Sequence, residues 1–338
     1  MINKLMVSNK MENLQELKKL LNIKSLADIY LFFKNFSYDF TEEDIISFNN
    51  NNPTGKNIPS LFYSSSASII KHPKYENRFI LNIRCVNYKL FKNTNSSLDI
   101  KTNVGFTINH ILILDNYFNP IGRFINKPEI SKNNYIGIED IRLFNFKDKI
   151  YYIGSIYNPG TNRIEISSQE YIIGENYKTN IIRPSFQTNN KNEKNWAFFE
   201  NNDEMLVIYK WYPIYVCKIN YETKNLNLIR QINVSKVFKK FRGSTNGVLW
   251  DNKIWFIVHT QNNLNSIKYY THNFVVLKRD FTVYGYTERF NFENYLVEFC
   301  VGMTTRNNNF IVTYSTLDCS TKLCVLSCKF INSLLIRI

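Results

Sequence analysis

Glycine and proline are scarce, at 11 and 8 of 338 residues. That excludes collagen-like and Pro/Gly-rich low-complexity chains. Turns must be built from other residues, and asparagine, which tolerates left-handed backbone, is abundant enough to fill them. Cysteine pairs are missing too. Cys85, Cys217, Cys300, Cys319, Cys324 and Cys328 include no CxxC spacing, and no histidine stands near the last three. Cys324 and Cys328 alternate with Leu326 and Phe330 as on a strand, so they read as buried thiols, and no metal site is assigned. No apolar run approaches the ~18 residues of a membrane helix, and the N-terminus has no secretory pattern. The expectation is a cytoplasmic protein without a membrane span. Basic residues outnumber acidic ones, 42 to 28, for a net charge of +14. This excess favours anionic partners. It forms no long Lys/Arg run or basic tail, so a nucleic-acid partner is not expected.

What the chain does have is hydrophobic residues at 44% and aromatics at 15%, a globular and β-favouring composition. The first stretch differs from the rest. Leu14, Leu17, Leu20 and Leu21 recur at helical spacing, as do Leu26, Ile29, Phe32 and Phe33. A further turn begins at Thr41. Residues 1–50 therefore read as a helical appendage, followed by a polar linker from Asn49 to Pro59. From Leu61 the period changes to two. Five segments share one plan: a polar opening, a strand, a short polar turn and an aromatic-rich strand. They open at Ser64, Glu139, Glu193, Arg242 and Glu298, about 50 to 75 residues apart, the length of a four-stranded blade with variable loops. The second strands end at Asn87, Tyr157, Lys210, His259 and Ser315. The pattern predicts an all-β chain: a five-bladed β-propeller over 51–338, with a β-sandwich pair as the competing architecture.

In a propeller the innermost strands line a channel, so the five openings converge. They contribute Arg84; Glu139, Asp140 and Arg142; Lys194 and Asn195; Arg242, Ser244, Thr245 and Asn246; and Glu298. His259 and Tyr314 end later strands. Converging cations bind an anion such as phosphate, and a carboxyl among them can serve as general acid in glycosidic chemistry. Each residue also has a plainer reading. Glu139 and Asp140 can cap a turn or pair with Arg142, Lys194 can be a solvated charge, Arg242 part of a turn, and His259 a core histidine. Tyr88, Trp196, Trp211, Tyr212 and Tyr270 are near the openings, where rings stack on sugars or pack between blades. His272 lies on another expected strand, within reach of the channel.

The ordered motifs EDIR, EKNW, RGSTNGVLWDNKIWFIVH and EFCVGM resemble glycoside hydrolase family 130 and the related glycosyltransferase family 108, over roughly Ser64 to Ser327. The resemblance implies a five-bladed propeller that cleaves or forms β-mannoside bonds with inversion, using inorganic phosphate or a sugar nucleotide as co-substrate, with no other cofactor. It places the general acid on Asp140, acting through a sugar hydroxyl, with Arg142 beside it. It makes Lys194, and then Arg84 and Arg242, the phosphate ligands, and matches His259 to a histidine ending the fourth-blade strand. Glu139, Asn195, Ser244 and Glu298 complete the expected binding set. Ile141 stands where the family has proline, and RGSTNG where many phosphorylases have a Gly-Pro-Pro element. Phosphorylase, transferase and hydrolase therefore stay open, as does a non-catalytic glycan- or protein-binding propeller. For a hydrolase, Glu298 and Glu200 are the candidate bases. Sugar, linkage and oligomeric state are not legible.

Overall fold

The computed structural model describes residues 24–36, 62–88, 105–126, 135–175, 179–264 and 267–338. Among these, strands dominate, with one α-helix, Cys328–Ser333, and two short 3-10 turns. No described helix is long and apolar enough to cross a membrane.

All five expected hairpins are present. Four of them turn through two residues of positive φ: Lys147–Asp148, Asn202–Asp203, Asp251–Asn252 and Asn307–Asn308. Two such residues make a turn whose twist matches the flanking strands. Asn and Asp enter the left-handed region more easily than other side chains, which is how the chain manages with little glycine. The first hairpin uses a longer connection closed by a His72 to Arg78 hydrogen bond.

Each hairpin grows into a four-stranded antiparallel unit. The first unit is Tyr63–Lys71, Phe79–Val86, Gly105–Leu114 and Pro120–Asn126. The second is Glu139–Phe146, Lys149–Asn158, Arg163–Glu170 and Ile181–Pro184. The third is Ala197–Asn201, Glu204–Trp211, Ile214–Asn220 and Asn225–Ile232. The fourth is Val248–Trp250, Lys253–Leu264, Ile267–Leu277 and Val283–Thr287. The second and third units share one eight-stranded sheet, because Arg183 and Pro184 pair in parallel with Asn225 and Leu226.

The fifth unit corrects the helical reading of Leu26–Phe33. Glu298–Arg306, Asn309–Thr316 and Thr321–Ser327 supply only three strands. The fourth is Phe32–Phe36, paired antiparallel with Thr321–Val325. Ahead of it, Ala27–Ile29 is a single 3-10 turn. A stretch that is apolar or aromatic at every position but Asp28 fits a short helix or a strand, and an open sheet edge decides between them. The expected first helix, the turn at Thr41 and the 49–59 linker lie outside the described residues.

The first strands of the units touch in cyclic order: first with second, second with third, third with fourth, fourth with fifth, and fifth with first. Five apolar clusters fill the seams between successive units. Each fully buried phenylalanine in them, such as Phe79, Phe198 or Phe256, contributes about 1.5–3 kcal/mol. The fifth–first seam is close-packed: a Cβ on Gly302 would lie 2.7 Å from the Ile69 amide nitrogen across it, and 2.1 Å from Thr313 Oγ1 within its own unit. At the trailing ends of the first strands, Lys71, Asn145, Glu200, Leu249 and Thr305, one from each unit, line a cavity of about 210 Å³. The leading ends of the same strands carry the polar openings.

Candidate active site

The second unit opens on an irregularity. Pairing with Lys149–Asn158 shifts register between Glu139 and Arg142, and Asp140 has φ 52°. A bulge of this kind re-aims a side chain out of the regular alternation. Ile141 turns into the apolar seam between the first and second units, while Asp140 meets two neighbours. Ser66 Oγ donates to Asp140 Oδ1 at 2.9 Å, and Arg84 Nη1 reaches the same oxygen at 3.1 Å. The Arg84 Nη2 lies 3.1 Å from Glu139 Oε1 and donates to the Tyr88 hydroxyl at 2.9 Å. Lys194 Nζ stands 3.8 Å from Glu139 Oε2. Arg84, Glu139, Asp140 and Lys194 thus form one ionic cluster drawn from three units.

Arg142, Asn195, Ser244 and His259 form the wall behind it. Arg142 is 1% exposed. It donates to the carbonyls of Ser244 at 2.5 Å and Asp140 at 3.1 Å, and to Asn195 Oδ1 at 3.4 Å. Its charge is directed into backbone dipoles and an amide of three units, so it braces the site. Gly243 makes this approach possible: a Cβ there would lie 2.2 Å from the Asn195 carbonyl oxygen. Ser244 Oγ and His259 Nδ1 are 2.8 Å apart. Burial, with help from His272, Arg142 and Arg242, drives the His259 pKa well below its ordinary value. The imidazole is neutral and supplies no charge for an anion. Thr245 Oγ1 accepts the Ile257 amide, and Asn246 bridges the Phe198 amide and the Leu143 carbonyl. Arg242 stands exposed at the edge, donating to Gln261 Oε1 at 3.1 Å.

Glu298 is not brought to the cluster. It is fully buried and accepts the backbone amides of Phe292, Glu293 and Tyr295 at 2.5, 2.9 and 2.7 Å. Glu200 lines the cavity at the trailing ends. Trp196 and Trp211 are buried between units, and His272 packs against Phe290 and Phe292. The Tyr314 hydroxyl donates to Glu293, which pairs with Lys322 at 2.7 Å. Of the aromatic candidates, Tyr88 joins the cluster. Tyr270 lies near His259, 5.7 Å between ring centroids.

A third carboxylate of the site is Asp318, in the turn after Asn309–Thr316, with φ 50°. Its Oδ1 accepts from Ser65 Oγ at 3.2 Å. Ser65 and Ser66 sit in a register shift between Ser64 and Ala67. Adjacent hydroxyls on one distorted strand therefore hold two carboxylates from different units. Their electrostatics diverge. Burial raises the Asp140 pKa, but Arg84, Arg142 and Lys194, with the Ser66 hydrogen bond, outweigh it and hold the carboxyl below its usual range. Burial also raises Asp318, and Asp140 and Glu139 add to the rise against Arg84 and Ser65, leaving it above its usual range. Two carboxyls pushed apart in pKa are the arrangement acid–base chemistry uses. Nothing in the sequence around Asp318 marks it, beyond an acidic residue in a turn. Ser66 is hidden in a serine run.

Beside Glu139 and Lys194 opens a cavity of about 380 Å³, walled by Tyr88, Thr107, Tyr157 and Asn192. That is within the size range of small-ligand pockets. Among the described residues, no cluster of His, Cys, Asp and Glu is arranged to hold a metal ion.

No protein-family model and no curated sequence matches the chain. Solved structures do. A β-1,2-mannobiose phosphorylase from Listeria innocua superposes with TM-score 0.56 at 13% identity, over 89% of this chain and 99% of that one. A glycosyl hydrolase from Bacteroides ovatus gives 0.53 at 9% identity, over 79% and 84%. A structure from the glycoside hydrolase family 130 of mannoside phosphorylases, which contains hydrolases targeting β-1,2-mannosidic linkages in Candida mannan, gives 0.52 at 9% identity, over 79% and 85%. The chain has the fold of that family, as the motifs led us to expect.

Proposed function

We propose that the chain is a carbohydrate-active enzyme on a five-bladed β-propeller, making or breaking β-mannoside-like bonds with inversion at the anomeric carbon. The cyclic contacts of the five first strands and the five apolar seams support the propeller. The observation that carries the chemistry is Asp140: a carboxylate in left-handed backbone, fixed by Ser66 and Arg84 and next in the chain to Glu139, which lines a cavity of ligand size. Strained backbone concentrates at functional sites.

Asp140 is ionised at neutral pH and so begins as a proton acceptor. In bond formation, an acceptor hydroxyl attacks the anomeric carbon and its proton passes to Asp140, through a sugar hydroxyl as the family resemblance implies. Phosphate or a nucleoside diphosphate departs with the bonding electrons. In the reverse direction protonated Asp140 returns the proton to the glycosidic oxygen. Arg84 keeps the carboxylate in place throughout.

A second reading, hydrolysis, is favoured by Asp318, a carboxylate in the same site and a better candidate for the second carboxyl than Glu298 or Glu200. A thermal-shift and turnover screen over phosphate, mannose 1-phosphate, GDP-mannose and β-1,2-mannobiose tests the proposal, since a ligand that binds the native state raises its apparent stability. Turnover of mannobiose with phosphate, or of a sugar donor with a mannoside acceptor, is the expected result. Mannobiose turnover in water alone selects the hydrolase. Glycan binding with no turnover in any mixture sinks the enzyme and leaves a glycan-binding propeller.

A further inference from the structure

The ionic cluster at Asp140 is already balanced. Arg84 lies between Glu139 and Asp140, and Lys194 faces Glu139. A phosphate group placed there competes with carboxylates. Positive charge with no carboxylate partner among the described residues lies elsewhere, on the connection from the third to the fourth unit. Lys236, Lys239, Lys240 and Arg242 fall within seven residues and are all exposed. None of the four forms an ion pair among the described residues. Val237, Phe238 and Phe241 separate them in sequence, so they do not read as a basic run.

These charges stand on a fixed base. Lys236–Lys240 is a 3-10 turn, which brings residues three apart onto one side, here Lys236 and Lys239. Phe238 is fully buried and meets Phe241 edge-on at 5.1 Å and Tyr286 at 5.8 Å. One anchored ring thus holds the turn while its lysines face solvent. The segment then runs into the site. Arg242 pairs with His259, and the next two carbonyls, of Gly243 and Ser244, accept from Arg142. Lys240 can be no more than about 7 Å along the chain from Arg242.

We infer that Lys236–Arg242 is a cationic lip that binds a phosphate group carried by the sugar substrate, outside the carboxylate cluster. Four cations along one segment suit an extended anion, such as the diphosphate of a nucleoside diphosphate, more than a single inorganic phosphate. This inference rests on the carbohydrate reading of the same site and assigns the part of the substrate that reading leaves open.

The test is calorimetric binding to the full chain and to the Lys236→Gln/Lys239→Gln/Lys240→Gln variant, at low and high salt. The probes are GDP, mannose 6-phosphate, neutral β-1,2-mannobiose and a single-stranded RNA. The substitutions are at exposed positions and leave Phe238 in place. The expected result is a loss of about tenfold or more in affinity for a phosphate-bearing probe at low salt, with a shallower salt dependence. Mannobiose binding stays unchanged. A loss confined to GDP identifies a nucleotide donor, and one confined to mannose 6-phosphate a phosphorylated acceptor; either supports the lip. Equal affinity of variant and wild type for both anions overturns it, as does failure of the wild type to bind either. Single-stranded RNA bound through the same lysines as tightly as GDP also overturns it, in favour of a nucleic-acid surface. Asp140→Asn should bind GDP like wild type, so failure of the lip and failure of the catalytic reading are separable.

Discussion

The second and fifth units both open on an acidic residue, and the two carboxyl groups meet opposite surroundings. At the second opening a bulge with left-handed Asp140 turns the carboxylate toward Ser66 and Arg84, while Glu139 before it lines a cavity. At the fifth opening the strand is regular at Glu298, which pairs with Thr316, and the carboxylate points into the loop before it. There three backbone amides surround it. One carboxylate is available to a ligand; the other is a structural cap. Asp140 and Glu298 lie within one position of each other in the repeat, and local backbone decides the role.

The comparison breaks most visibly on activity. Asp140→Asn should lower turnover by about a thousandfold or more, in the upper part of the range for general acid–base catalysis, while circular dichroism stays near wild type and the melting temperature falls by no more than loss of the Arg84 pairing accounts for. Near-normal turnover in that variant contradicts its role. Glu298→Gln should show the reverse. It weakens hydrogen bonds to a charged acceptor worth about 1.5–3 kcal/mol, so urea unfolding shifts to lower denaturant while kcat per folded molecule is unchanged.

Smaller effects sharpen the same contrast. Gly243→Ala must displace the Asn195 carbonyl or the chain that carries Ser244, costing about 1–3 kcal/mol as overpacking does. It should also lower activity, because the Arg142 brace moves with it. Asp318→Asn is the subtlest, and its sign depends on pH. The folded state raises the Asp318 pKa, so native protein holds that proton more tightly than the unfolded chain and stability falls as pH rises past about 4. The asparagine variant escapes that penalty. Its melting temperature should exceed wild type at pH 8, with the difference shrinking toward pH 4. Asp140 runs the other way: its depressed pKa contributes stability above about pH 4 that is lost on acidification.

The five hairpins are legible in the sequence because alternation and turn chemistry agree. Asn202–Asp203 and Asp251–Asn252 suit the two left-handed positions they occupy. The Leu26–Phe33 segment is not, since its partner strand, Thr321–Ser327, lies nearly 300 residues away at the other end of the chain. Of the candidate site, Arg84, Glu139, Asp140 and Lys194 stand out through their place at the openings. Arg142 and His259 stand out too, but the fold buries both. Burial, which sequence does not report, turns a cation into a brace and a titratable ring into a neutral one. Asp318 escapes a sequence reading because its significance comes only from Ser65 and from the fold that brings the last hairpin turn beside the first strand.

The most direct test is a crystal structure of the Asp140→Asn variant with β-1,2-mannobiose. The account predicts one sugar ring at the leading ends of the first strands, within hydrogen-bond distance of Arg84, of Asp318 and of the amide that replaces the Asp140 carboxylate. A sugar bound at the trailing-end cavity or on the outer strands, with this cluster untouched, would contradict it.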